Sequence, residues 1–221
     1  MRTRVVAAVA APLLWNNWLL PRLALGHRGR TAANAVVATG YALTFGGRPD
    51  WSSGRGVRIG AGCAAGVAIG CAAAFAIPAV RGSLAVAEER AADVGTLEWV
   101  AVHIPLGTVY AEELIFRATL DPLLDRECGG RIGTLLGGAV FGLWHIYPAR
   151  VAGDNVLGTV VFTGGAGLVF GGLGRWAGSA TAPALMHWAV NAGGALLSRV
   201  GSDVGLGQVG SEGGGGEQDC S

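Results

Sequence analysis

Residues 57–80 read VRIGAGCAAGVAIGCAAAFAIPAV, a run long and apolar enough to cross a lipid bilayer as one α-helix. Other apolar runs lie on both sides of it, separated by short breaks marked by Arg, Pro and Gly. The seven candidate spans are 5–20, 31–45, 57–80, 97–124, 132–147, 156–176 and 180–200. They predict an all-α fold, a polytopic transmembrane helical bundle of six to seven spans. The lower number applies if one of the two short, Asn-containing runs at the N-terminus lies in the membrane interface or pairs with the other.

The composition also favours the bilayer as solvent. The chain is 51% hydrophobic and 14% charged, with a mean hydropathy of +0.46, whereas a soluble domain carries about 25% charged residues. A net charge of +1 without a clustered basic face argues against a nucleic-acid partner. All basic residues are Arg, within an Ala- and Gly-rich composition that looks bacterial. We therefore expect a multi-pass protein of the inner (plasma) membrane, with the lipid bilayer as its surroundings.

The chain divides into three regions by composition. Residues 1–96 hold the N-terminal transmembrane helices and a connecting loop, in which 81–96 is charged and reads as a solvated loop or surface helix. Residues 97–200 hold a core of about four helices. Residues 201–221 are rich in Gly and acidic residues, which predicts a disordered tail. Arg2 and Arg4 before the first run also suit a signal peptide, but the further spans favour an uncleaved first helix.

Glycine accounts for 39 of the 221 residues and recurs at intervals of four inside the apolar runs. Such small-residue stripes let helix backbones approach closely in lipid, where no hydrophobic effect drives the helices together. We therefore expect four stripes to mark helix contacts: Gly62, Gly66 and Gly70; Gly133 and Gly137; Gly138 and Gly142; Gly167 and Gly171.

Ionisable residues inside the predicted spans are the candidates for function, because a charge at the bilayer centre costs at least about 2.5 to 3.5 kcal/mol. The fourth span contains VYAEELIFRATL, the fifth FGLWHIY and the seventh ALMHWAVNAGG. These segments supply Glu112, Glu113, Arg117, His145, His187 and Asn191. His103 also falls in the fourth span, near its opposite end, and is expected to be a satisfied packing or interface residue.

Spacing assigns different roles to the two adjacent glutamates. Glu113 and Arg117 stand at i and i+4 with the acid first, the favourable order for a helical ion pair, which indicates a supporting role. Glu112 points about 100° away around the helix and is free for chemistry. Phe141 with His145, and His187 with Asn191, also have i and i+4 spacing, so each pair shares a helix face.

The depths of these residues in the membrane are similar. At about 1.5 Å per residue from the helix ends on one side of the bundle, Glu112 lies at about 18 Å and His145 at about 20 Å. On the same scale His187 lies at about 11 Å and Asn191 at about 17 Å. The four side chains are therefore predicted to meet in one layer.

A carboxylate, two imidazoles and an amide in a dry pocket suit peptide hydrolysis by an activated water molecule. Glu112 and His145 can orient and deprotonate the water. His187 and Asn191 can donate hydrogen bonds to the oxyanion of the tetrahedral intermediate. The sequence has no GxSxG, HExxH or GxxxxGK[ST] motif, which argues against serine hydrolases, ordinary zincins and P-loop enzymes.

These motifs resemble those of the CPBP family, the CAAX-processing and bacteriocin-processing intramembrane endopeptidases, also called the Abi family. In order along the chain they are Glu112-Glu113-x3-Arg117, Phe141-x3-His145 and His187-x3-Asn191. The resemblance covers about 97–200 and implies a glutamate-dependent endopeptidase. It implies that Glu112 and His145 activate water and that His187 and Asn191 form the oxyanion site. Glu113, Arg117 and Phe141 are then supporting residues.

The resemblance also bears on cofactor and substrate. No cofactor is expected, and zinc held by a Glu-His-His set is the less favoured alternative, because the motifs lack the close two-histidine spacing of a zincin helix. The partner is a peptide or protein substrate at the membrane. Eukaryotic members cut the terminal tripeptide from prenylated CAAX proteins, a substrate not expected for a chain of bacterial composition. Peptide maturation, bacteriocin immunity and cleavage of a membrane-protein tail all fit.

Two other classes of function compete with this interpretation. Intramembrane Glu, His and Arg also mark the ion pathways of transporters and proton-relay proteins, although the sequence shows no inverted repeat. A non-catalytic scaffold, whose polar residues only lock helix packing, is the third hypothesis. The complete set of motif residues favours the peptidase.

Overall fold

The computed structural model describes residues 2–77 and 94–212, with side chains described for 3–77 and 94–199. This part of the chain is helical and contains no strand. Its helices are α1 (2–22), α2 (His27–Phe45), α3 (Gly54–Phe75), α4 (96–128), α5 (Gly130–Ala152), α6 (Val156–Ala177) and α7 (Thr181–Glu212). Each of the predicted spans corresponds to one of these helices. The expected all-α helical membrane bundle is confirmed.

Three of the helices, α3, α5 and α6, are long and apolar enough to cross a membrane by themselves. The backbone of α7 continues to Glu212, past the predicted end of the seventh span at residue 200. Most of the charged segment predicted at 81–96, and residues 213–221 of the predicted tail, lie outside the described residues.

Local signals in the sequence set several helix ends. The Ser53 hydroxyl accepts a hydrogen bond from the Gly56 amide at 3.0 Å, which caps the start of α3. The Asn155 side chain accepts from the Gly158 amide at 2.8 Å and caps α6 in the same way. At its other end α6 stops at Gly178, whose φ of 68° suits glycine because it has no Cβ.

Helix α4 lies at the centre of the bundle. All residues from 111 to 120 are buried, so this helix has no solvent-facing or lipid-facing side in that stretch. Its N-terminal part, Trp99–Tyr110, is wound as a π-helix, in which each amide bonds to the carbonyl five residues before it. Pro105 has no amide hydrogen for the Val100 carbonyl, and the Trp188 indole of α7 donates to that carbonyl at 3.1 Å instead.

The two short N-terminal helices pair with each other, as one of the sequence alternatives expected. The Trp15 indole of α1 donates to Asn34 Oδ1 of α2 at 3.0 Å, and the Asn34 amide donates to the Gly107 carbonyl of α4 at 2.9 Å. The Tyr41 hydroxyl donates to the Ala8 carbonyl at 2.8 Å. Side-chain hydrogen bonds therefore join α1, α2 and α4.

Three of the four glycine stripes lie at close contacts. Helices α5 and α6 meet where a Cβ on Gly142 would stand 2.5 Å from the Val160 carbonyl, and one on Gly167 would stand 2.9 Å from Phe141. Glycine is required at these positions because the neighbouring atoms leave no room for a side chain. The Gly133 and Gly137 stripe packs against α4 in the same way.

The prediction was wrong for the stripe on α3. A Cβ added to Gly62, Gly66 or Gly70 would meet no described atom within 4 Å. Helix α3 instead packs on α7 through another glycine, Gly60, where an added Cβ would stand 2.9 Å from Ala182 Cα. Spacing alone identifies a face on which helices can approach closely, but the arrangement of the other helices decides which face is used.

Candidate active site

The two glutamates of α4 face different neighbours. Glu112 Oε1 accepts a hydrogen bond from the Trp144 indole of α5 at 3.1 Å. Its other oxygen, Oε2, is buried and has no hydrogen-bond partner among the residues whose side chains are described. Glu113 is completely buried and contacts Arg117 and His187.

His187 of α7 lies between the two carboxylates. Its Nδ1 is 2.8 Å from Glu113 Oε1, and its Nε2 is 3.9 Å from Glu112 Oε2. Because a carboxylate accepts hydrogen bonds, the proton of this contact belongs on Nδ1, which leaves Nε2 directed at Glu112. The ring stacks on Phe170 of α6 at a centroid distance of 4.7 Å. Both its hydrogen bond and its aromatic contact fix its orientation.

His145 lies at a break in α5, between the helical segments Gly130–Trp144 and Ile146–Ala152. Its backbone angles, φ −91° and ψ 6°, depart from the helical values. Its Nδ1 donates to the Phe141 carbonyl at 2.8 Å, so in the neutral ring Nε2 is the proton acceptor. This arrangement suits a general base.

Glu112 and His145 line the same cavity, which has a volume of about 330 Å³. The cavity lies toward the ends of the bundle where α2 and α4 begin. Polar side chains contribute much of its wall. The polar and aromatic residues around it are Asn16, His27, Arg30, Thr31, Asn34, Trp99, His103, Thr108, Glu112, Trp144 and His145. A peptide bond and a water molecule can therefore meet both groups there.

On the other side of α4, Arg117 forms the expected contact with Glu113. The Arg117 Nε atom is 3.4 Å from Glu113 Oε2, and Nη1 is 3.9 Å from Asp121 Oδ2. The guanidinium also lies 4.5 Å from the centre of the Phe141 ring, a favourable cation–π distance. The i and i+4 pair predicted from the sequence is thus present, and Phe141 packs against Arg117, as well as against both candidate imidazoles.

Asn191 has a different position from that expected of an oxyanion donor. Its amide donates to the main-chain carbonyl of His187, one turn earlier in α7, at 3.2 Å. Glu112 thus shares a cavity with His145 and lies near His187, while the Asn191 amide bonds to its own helix. The role of Asn191 as an oxyanion donor stays a prediction. That role requires its side chain to rotate away from the His187 carbonyl.

Trp144 was not predicted to donate a hydrogen bond to Glu112, although it directly precedes His145 in the segment FGLWHIY. An indole N–H within a membrane helix needs an acceptor, which was the available signal. His103 is buried, as expected of a packing residue, and its ring bonds to Thr31 at 2.7 Å. It also lines the cavity, and its Nε2 lies 3.3 Å from Glu98 Oε1.

The donor set at the site does not fit a metal ion. In the described portion of the chain, no three His, Cys, Asp or Glu side chains stand together so as to hold one. We therefore derive no catalytic step through zinc.

Part of the chain is similar to a known family of peptidases. Residues 95–193 match the family model of type II CAAX prenyl endopeptidases, Rce1-like. No curated protein and no solved structure matches the chain. The matched segment begins just before α4, ends within α7 and contains Glu112, His145, His187 and Asn191. This similarity covers a little under half of the chain, and it agrees with the motifs of CAAX proteases in the sequence and with the presence of helices long and apolar enough to cross a membrane.

Proposed function

We propose that this protein is a glutamic intramembrane endopeptidase in which Glu112 and His145 activate water. The observation that carries the proposal is the state of the Glu112 carboxylate. One oxygen is held by Trp144, while the other is buried without a hydrogen-bond partner among the described side chains. Because Glu112 and His145 line one cavity, a water molecule there would bind to this carboxylate and be oriented by it.

The first step is attack of this water on the carbonyl carbon of the substrate. The water oxygen forms a bond to carbon, its proton passes to the Glu112 carboxylate or to His145 Nε2, and the carbonyl oxygen becomes an oxyanion. The same group then returns the proton to the amide nitrogen as the carbon–nitrogen bond breaks. The products are a carboxylic acid and an amine, and no covalent enzyme intermediate is needed.

His187 is proposed to stabilise the oxyanion. Its Nδ1–H is engaged by Glu113, so Nε2 donates a hydrogen bond only when the ring is protonated on both nitrogens. In that form the ring would face the Glu113 carboxylate, which lies 2.8 Å from Nδ1. Asn191 would supply a second donor after its side chain leaves the His187 carbonyl.

The proposed substrate is a peptide or protein segment within or next to the membrane, in keeping with a family that acts on proteins. We further propose the plasma membrane of a bacterium as the location, on the Arg-, Ala- and Gly-biased composition. Maturation of a peptide or removal of a membrane-protein tail would use the same reaction. No described residue of the cavity indicates that the substrate must carry the prenylated tail that eukaryotic members cut.

The test is cleavage of a library of quenched fluorescent peptides by the purified full chain in detergent. Glu112→Gln and His145→Ala should abolish cleavage without changing the melting temperature by more than about 2 °C. Thr44→Val, on an exposed helix surface, serves as the control because its hydroxyl bonds only within its own helix. Full activity of Glu112→Gln would refute the mechanism.

Two further measurements separate the alternatives. Loss of cleavage on chelation, restored by zinc, would replace the metal-free mechanism with a metal-dependent one. Glu112-dependent proton flux into proteoliposomes, without cleavage of any peptide, would instead support a transporter.

A further inference from the structure

Helix α1 lies outside the segment that matches the family, yet it contacts the break that holds His145. Asn16 and Asn17 occupy the π-helical turn Trp15–Leu19. The Asn16 amide donates to the Trp144 carbonyl at 2.7 Å, and the Asn17 amide donates to the Leu143 carbonyl at 3.0 Å. Both acceptors directly precede His145 in the sequence.

Proline explains why the first of these bonds is needed. In a continuous α-helix the amide of residue 148 would donate to the Trp144 carbonyl, but that residue is Pro148, which has no amide hydrogen. A buried carbonyl without a donor costs about 1 to 3 kcal/mol. Asn16, which is only 6% exposed, supplies the missing donor.

Asn17 replaces a second helical hydrogen bond at both of its ends. In a continuous helix the Tyr147 amide would donate to the Leu143 carbonyl. Here the Tyr147 amide donates to Asn17 Oδ1 at 2.8 Å, and the Asn17 amide donates to the Leu143 carbonyl. The side-chain amide of Asn17 thus bonds to both the Tyr147 amide and the Leu143 carbonyl, which the break in α5 has separated.

The winding of α1 allows two consecutive side chains to act together. In an α-helix, neighbouring residues point about 100° apart. The wider π-helical turn reduces that angle, so both asparagines reach the same neighbouring helix. π-Helical turns of this kind are frequent at functional sites.

We propose that Asn16 and Asn17 are positioning residues that hold the break in α5 and thereby fix Trp144 against Glu112 and His145 at the wall of the shared cavity. The inference rests on the proposed function of Glu112 and His145. Trp144 carries the effect of Asn16 to the carboxylate, because its carbonyl binds Asn16 while its indole binds Glu112. The active site is therefore incomplete without α1, although the family segment begins at residue 95.

The test compares kcat and KM of Asn16→Leu and Asn17→Leu with those of the parent chain. Each should lower kcat by about 10²-fold, the size of effect expected from a misplacement of about 1 Å, and leave KM within about twofold. Tyr41→Phe is the matched control, because it also removes a buried hydrogen bond to a main-chain carbonyl, between α1 and α2. Its kcat should equal that of the parent chain. Asn17→Asp is a milder variant to use if Asn17→Leu does not fold. It keeps the acceptor for the Tyr147 amide and loses the donor to the Leu143 carbonyl.

A double variant separates positioning from mere stability. Asn16→Leu combined with Pro148→Ala restores an amide donor for the Trp144 carbonyl and straightens α5. The melting temperature should return toward the parent value while kcat stays low, because His145 then follows the straightened helix away from its place in the cavity wall. Recovery of both quantities would show that Asn16 is only structural and would overturn the proposal.

The two proposals fail in different ways. Parent-like kcat in Asn16→Leu and Asn17→Leu, with Glu112→Gln inactive, would overturn the positioning role and leave the proposed function standing. Full activity of both Glu112→Gln and His145→Ala would refute the proposed function and, with it, this inference.

Discussion

The two faces of α4 contain the same acidic residue in opposite surroundings. On one face, Glu112 borders a cavity, and its carboxylate accepts a hydrogen bond from the Trp144 indole. On the other face, Glu113 is fully buried between His187 and Arg117. The carboxylates belong to consecutive residues, so the helical rotation of about 100° is enough to separate them.

The difference shows how neighbours assign a role to a side chain. Glu113 contacts a cation and an imidazole and lines no described cavity, so it has little access to a reacting water molecule. Glu112 borders a cavity, where a carboxylate can bind and activate water. We call the first side the ion-pair face, defined by Glu113, Arg117 and Asp121, and the second the cavity face, defined by Glu112, Trp144 and His145.

The largest effect is expected on the cavity face. Glu112→Gln keeps the shape of the side chain and the hydrogen bond from Trp144 but removes the base, so kcat should fall by about 10³-fold or more. The melting temperature in detergent should stay within about 2 °C of the parent value. Measured cleavage at the parent rate would remove the distinction between the two faces.

The next effect concerns stability on the ion-pair face. Arg117→Leu leaves Glu113 as a buried charge without its cation, which should lower the free energy of unfolding by about 3 to 5 kcal/mol. Arg117→Leu combined with Glu113→Gln should recover part of that loss, because the uncompensated charge is also removed. Denaturant unfolding of the detergent-solubilised protein measures both. Arg126→Leu, at an exposed position, is the control and should unfold like the parent.

A smaller effect on activity should connect the two faces. Glu113→Gln keeps an acceptor for His187 Nδ1 but removes the charge that stabilises a doubly protonated ring, so kcat should fall by about 10- to 100-fold. A kcat of Glu113→Gln equal to that of the parent chain would show that Glu113 does not assist His187 in catalysis.

The smallest effect should come from the indole on the cavity face. Trp144→Phe removes one hydrogen bond to a charged group, worth about 1.5 kcal/mol, so kcat should fall by about tenfold. Trp188→Phe removes an indole donor that bonds to the Val100 carbonyl outside the cavity and should leave kcat unchanged. Equal kcat values for the two variants would mean that the bond to Glu112 has no part in catalysis.

Much of the fold was predictable because its signals are local. Long apolar runs identify membrane helices by their length, and each predicted run corresponds to a helix of the structure. The i and i+4 spacing likewise identified the contact of Glu113 with Arg117, since a helix brings residues at that spacing together. Serine, asparagine and glycine at the ends of helices are equally local signals.

Contacts between helices were predicted less well. The glycine stripe on α3 has the same spacing as the one that packs α5 on α6, but its glycines meet no described neighbour. The bond of Asn191 to its own helix, and the bond of Trp144 to Glu112, also depend on how side chains turn after the helices have assembled. Spacing along one helix carries no information about which partner lies opposite.

The sequence by itself determined the helices and the motifs on them, because both follow from local composition and spacing. Tertiary structure alone decided that His187 lies between two carboxylates and that Asn16 and Asn17 hold the break before Pro148. These contacts join residues far apart in the chain, and only the packed bundle brings them within hydrogen-bonding distance.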